Sequence, residues 1–176
     1  SLAAARIGGT TLPARVADGT VRTLALTHQA LVFDALRGRY YASIPANADY
    51  NPNRIAIIDA ATGQVSYGTT QLNAPAALAM APDGSALYVG LNDTGSIAKL
   101  ALPGLSEVYR VQLPTDPNGG SPLLARALAA SPNEADVLAV TLRSASGASY
   151  IPGVVLVRGG VVQPQQIGFG PLYTMG

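Results

Sequence analysis

A chain of 176 residues can bury a substantial core, and 48% hydrophobic against 12% charged content is a folded rather than a disordered composition. A net charge of +1 with no basic cluster lacks the electrostatic footprint of nucleic-acid or anionic-membrane binding, and Gly, Pro, Asn and Asp interrupt every apolar run short of bilayer length. With no cysteine and one histidine, the chain has no disulfides, thiolate nucleophiles, Cys-ligated metals or imidazole clusters.

The chain opens SLAAAR, without Met and too short for the apolar core of a signal peptide, as expected of a processed terminus or an excised segment. Residues 12–16 fit a strand, and ADGTVRTLALT (17–27) fits a turn and a second strand. LVFDALRGRYYASI (31–44) is the first full strand–turn–strand. RIAIIDAATGQV (54–65) follows as an apolar strand with a Gly-containing turn, and VSYGTTQL (65–72) as a more polar strand.

LAMAPDGSALYVGL (78–91) restates residues 31–44 without a gap. Leu31 lies over Leu78, Phe33 over Met80, Tyr41 over Tyr88 and Ile44 over Leu91. SIAKLALPGLSEV (96–108) and VYRVQL (108–113) complete that unit. LAASPNEADVLAVTL (128–142) is a third copy with one extra residue in its turn; the offsets are 47 and 50 residues. GVVLVRGGVV (153–162) and residues 161–167 complete it, and QIGFGPLYTMG (166–176) reads as a compressed strand pair opening a further unit. Local propensity favours helix over SPLLARALAASPNEADVLAV (121–140), which has a Ser-Pro start and abundant alanine. The repeat register places strands there, and the register decides.

Four short antiparallel strands per repeat, at a period near fifty, are the signature of a β-propeller blade in an all-β, WD40-like fold. Blades are expected at 30–73, 74–122 and 123–166, with the end of a preceding blade in 1–29 and the start of a next in 167–176. The two end pieces could close a small four-bladed ring; the favoured alternative is a segment of a larger ring.

APDGSALYVG and IAIIDAATGQV resemble the YVTN repeats of bacterial seven-bladed propellers, whose blades carry PDG, YV and ID-x-x-TG signatures. GVVLVRGGVVQP is similar to blades of secreted bacterial propellers of unassigned activity. The likeness covers roughly residues 20–166. It departs where Leu36-Arg37-Gly38 replaces PDG and where Ala139 replaces the tyrosine. The resemblance implies a segment of a seven-bladed ring, extracellular or periplasmic, in a secreted or surface-associated bacterial protein. The wider superfamily includes lactonases and quinoprotein amine dehydrogenase subunits, but no catalytic motif of either is matched, so no catalytic residue is carried over.

With strands a to d numbered outwards from the channel, the a–b and c–d turns share one face and the b–c and d–a connections the other. The first set is short. The second contains the long loops 45–53, 114–122 and 143–152, where binding groups usually sit on a rigid scaffold. Tyr50, Arg54, Arg143 and Tyr150 flank or occupy these loops, and Tyr and Arg are common interface anchors. These four are the expected binding residues, for a protein or glycan partner.

Other polar residues read as structural. His28 lacks a companion nucleophile or acid and is expected to be solvated. Asn51, Asn53, Asn92, Asp93, Asp116 and Asn118 could offer oxygens to a hard cation but form no spaced ligand ladder, so they read as turn formers. Asp59, ahead of Thr62-Gly63, is expected to bond turn amides, and Tyr40, Tyr41 and Tyr88 to pack. No metal and no cofactor is expected. The functional expectation is a non-catalytic scaffold, with the remaining blades of the ring as neighbours; a lactonase-like or quinoprotein-like enzyme whose site includes blades outside this chain is the alternative.

Overall fold

In the computed structural model, described here for residues 6–7, 10–11, 23–116, 120–134, 136–145 and 153–164, each repeat forms one four-stranded antiparallel sheet, its strands side by side in chain order. β1 (Arg6–Ile7) and β2 (Thr10–Thr11) pair with each other ahead of them. The first blade comprises β3 (Leu31–Asp34), β4 (Arg39–Ile44), β5 (Arg54–Asp59) and β6 (Val65–Tyr67). The second comprises β7 (Pro75–Met80), β8 (Ala86–Leu91), β9 (Ser96–Ala101) and β10 (Ser106–Gln112). The third comprises β11 (Leu124–Ala130), β12 (Val137–Arg143), β13 (Val154–Arg158) and β14 (Val161–Val162). Among the described residues there is no helix, so the alanine-rich stretch at 121–140 is β11 and β12.

The blades stack face to face, which explains the continuous apolarity of their middle strands. Every residue of β8 is buried, because alternate side chains enter two different cores. Leu87, Val89 and Leu91 pack towards the first blade with Tyr41, Ile55 and Leu72. Tyr88 packs towards the third, with Leu138, Val140 and Val155. β10, at the outer rim, is mostly exposed and correspondingly polar.

Close approach of the blades needs a residue without a side chain. At Gly90 an added Cβ would lie 2.9 Å from the Cβ of Ala125 in the third blade. Polar side chains then fasten the stack. Ser43 Oγ donates to the Ala76 carbonyl at 2.6 Å and accepts from the Ala30 amide at 3.0 Å, tying the first blade to the second from a buried position. Arg37 Nη1 donates to buried Asp34 and also to the Gly84 carbonyl of the next blade, each at 2.9 Å.

Residues 23–28 are in no strand, although the sequence suggests one there; Leu26 instead packs beside Ala42, Ile44, Ala56 and Ile58 on the far face of the first blade. Residues 12–22, expected to carry a strand and a turn, lie outside the described residues, as do residues 165–176, expected to open a next blade.

Candidate functional site

Antiparallel order puts the a–b and c–d turns at one end of every sheet and the b–c and d–a connections at the other. The second face holds the long connections, and hydrogen bonds fix several of their described residues. In the 45–53 loop, the Ala48 amide donates to the Pro45 carbonyl and the Asn53 amide to that of Ile44. Asn51 and Asn53 adopt left-handed backbone at φ 47° and 61°, and Asn53 Oδ1 accepts from the Ala74 amide of the neighbouring connection. Both asparagines therefore act as turn formers. Buried Asp116 accepts from Ser144 Oγ at 2.8 Å, which ties the connection entering the third blade to the loop leaving β12.

This framework presents Tyr50 at 80% exposure. The ring borders a cleft of about 480 Å³ formed with Leu26, Thr27, Asp49 and Tyr67. Arg54 opens β5 below the same loop, and its Nη1 donates to the Gly68 and Thr69 carbonyls, both at 2.9 Å. It braces the 68–74 connection. Arg143 ends β12 and lines a different, smaller cleft with Gln29, Asn92 and Arg126, so Tyr50 and Arg143 do not share a pocket. Tyr150 lies outside the described residues. His28 is exposed, its Nδ1 donating to the Leu26 carbonyl at 3.0 Å.

The short-turn face carries a constellation that the sequence did not suggest. Asp136, in the a–b turn of the third blade, accepts at Oδ1 from Tyr88 OH at 3.0 Å, Tyr109 OH at 2.8 Å and Lys99 Nζ at 2.9 Å. The Lys99 ammonium also lies 5.9 and 5.5 Å from the two ring centroids, within cation–π range. Burial alone would raise the Asp136 carboxyl, but donation from Lys99 and both phenols outweighs it and holds the group below the usual carboxylate range. Burial, then hydrogen bonding to that carboxylate, pushes both tyrosines well above the ordinary phenol range.

Asp136 holds φ +59°, directly before strand b, where the first blade has Gly38 at φ +62°. Their carbonyls accept equivalent bonds, from Gly159 N and Ala60 N respectively. A carboxylate thus stands at a position that favours glycine, and its three donors all come from the second blade. The arrangement is an inter-blade clasp, beside a cleft of about 190 Å³ reaching Asp83 and Glu134. The visible signal in the sequence was Lys99, the one lysine, set in an otherwise apolar strand.

Asp59 behaves as its motif suggests, accepting from the Ala61 and Thr62 amides and the Thr62 hydroxyl. These donors hold its carboxyl below the usual range, the Thr62 amide contributing most. Among the described residues no group of three or more His, Asp or Glu could hold a metal ion, and no helix is long and apolar enough to cross a membrane.

No family model matches the sequence, and neither does any curated protein at a significant level. Solved structures do match the fold. Hydrazine synthase of Kuenenia stuttgartiensis superposes with TM-score 0.57 at 16% identity, over 82% of this chain and 36% of that one. The Cps50 (Swd1) β-propeller domain of Myceliophteria thermophila gives 0.55 at 13% identity, over 84% and 40%. A candidate 6-phosphogluconolactonase from Bacteroides uniformis gives 0.53 at 15% identity, over 82% and 41%. At such identities the likeness establishes the fold: three stacked blades of a β-propeller. The chain spans less than half the length of each of these structures.

Proposed function

We propose that this chain is part of a YVTN-type propeller in a secreted or surface-associated bacterial protein. In this reading it is a non-catalytic scaffold that presents its long-loop face to a protein or glycan. One observation carries the reading: Tyr50 stands four-fifths exposed on a loop that is already pinned to the end of β4 at Ile44 and, through Asn53, to Leu72 and Ala74 of the neighbouring connection. A rigid aromatic offers a large contact area at low ordering cost. The cleft beside it, about 480 Å³, lies within the roughly 300–1,000 Å³ range of small-ligand sites, enough for one or two sugar rings or a peptide side chain. Arg54 acts as a positioning residue, holding the connection behind Tyr50. Further blades of the ring flank the three described.

Binding of the full-length protein to a panel of glycans and extracellular peptides tests this reading. Tyr50→Ala is expected to abolish the strongest interaction while leaving the melting temperature unchanged. A panel without any binder, or a Tyr50→Ala protein that binds like the native one, contradicts it.

A further inference from the structure

The inner ends of all three blades meet at the smaller cleft on the long-loop face. Gln29 and Ala30 lead into the first blade, Ala76, Ala77 and Asn92 belong to the second, and Arg126 and Arg143 to the third. Two irregularities of the sheets converge there. In β7, Ala76 and Ala77 together oppose the single residue Gly90, since Pro75 pairs with Leu91 and Leu78 with Val89. In β11, Ala125 pairs with Leu142 and Ala127 with Thr141, leaving Arg126 as the extra residue of a β-bulge. Bulges re-aim side chains, and this one brings an arginine to the cleft wall from a strand otherwise rich in alanine.

The guanidinium groups of Arg126 and Arg143 have no hydrogen-bond or ion-pair partner among the described residues. Two unpaired guanidinium groups on one small cleft repel each other and together attract an anion, for which their planar forks are suited. Asn92, on the same wall, carries a buried Oδ1 with no partner. An unmet buried acceptor in a native fold calls for a partner, and a group entering this cleft is one that can supply it. A half-turn of the amide exchanges its oxygen and nitrogen, so Asn92 can offer the incoming group an acceptor or a donor.

We propose that this cleft binds a small hydroxylated anion, a hydroxycarboxylate or a phosphate, with Arg126 and Arg143 on the charged oxygens and Asn92 on a hydroxyl. The cleft of about 170 Å³ is below the roughly 300 Å³ where drug-sized sites begin, which restricts the occupant to a small anion or the anionic end of a larger molecule. The site is separate from the Tyr50 cleft and stands without it.

Calorimetric titration of the full-length protein with inorganic phosphate and with glycolate, at low ionic strength, tests the proposal. Saturable binding of either is expected, and the tighter of the two identifies the anionic group. Arg126→Gln and Arg143→Gln should each weaken it about tenfold or more, the loss of one charged hydrogen-bonding partner. Tyr50→Ala should bind the anion with native affinity, separating this site from partner recognition. Absence of saturable binding to both anions, or native affinity in folded Arg126→Gln and Arg143→Gln proteins, overturns the assignment.

Discussion

The hydroxyl of Tyr88, on the second blade, donates to the carboxylate of Asp136 on the third at 3.0 Å. Tyr109 and Lys99 of the same second blade bond the same oxygen, so one carboxylate of the third blade gathers three donors of the second at the edge of their shared core. Asp136→Ala removes the acceptor from three donors and places a β-carbon-bearing residue without a compensating side chain at φ +59°. Urea denaturation should show a loss of about 2–4 kcal/mol, from hydrogen bonds to a charged group plus backbone strain. Asp136→Gly, which relieves only the strain, should recover a small part of it.

The same contact sets a pH dependence. The Asp136 carboxyl titrates lower folded than unfolded, where its value is about 3.9. Its contribution is therefore complete above that unfolded value and is lost as pH falls through the folded one. The stability difference between native protein and Asp136→Asn should shrink below about pH 4 in denaturation curves taken across the acid range. The phenols of Tyr88 and Tyr109 are shifted upwards, so their contribution holds below about pH 10 and fades as pH climbs past their folded values.

Gly90→Ala sets a β-carbon 2.9 Å from that of Ala125, a contact between two backbone-anchored atoms that no rotamer can relieve. Thermal unfolding should report a loss of about 1–3 kcal/mol, the usual range for overpacking. Gly104→Ala, where the added carbon meets nothing within 4 Å, is the control and should stay close to native.

Arg54→Ala should differ from Tyr50→Ala in kind. It removes two bonds to the Gly68 and Thr69 carbonyls, and denaturation should show about 1–2 kcal/mol lost. Partner binding should weaken with it, through loosening of the 68–74 connection. Tyr50→Ala should affect binding alone.

The strand–turn–strand units were legible because Leu78, Met80, Tyr88 and Leu91 repeat the spacing of Leu31, Phe33, Tyr41 and Ile44. Burial enforces that spacing at Tyr41, Ile44, Leu78, Tyr88 and Leu91, whereas Leu31 and Phe33 are about half exposed. The same register overrode the helical propensity of residues 121–140. The polar contacts were less accessible. Tyr88 and Asp136 are 48 residues apart, and only stacking of the blades brings them together. Tyr88 reads as packing in sequence, which its body is at 1% exposure, but its hydroxyl has a separate role. Arg126 was invisible for a different reason: a β-bulge adds one residue to a pairing, and nothing in LARALAA announces where. Exposure of Tyr50 followed from loop length and was readable, whereas the bonds that fix Arg54 to two carbonyls were not.

Amide hydrogen exchange of the full-length protein, with and without the tightest-binding glycan or peptide from the panel, tests the scaffold reading most directly. The partner should slow exchange in residues 45–53 and 68–74, around Tyr50, and leave the turns at 35–38 and 82–85 unchanged. Protection confined to those short turns, with none around Tyr50, would contradict it.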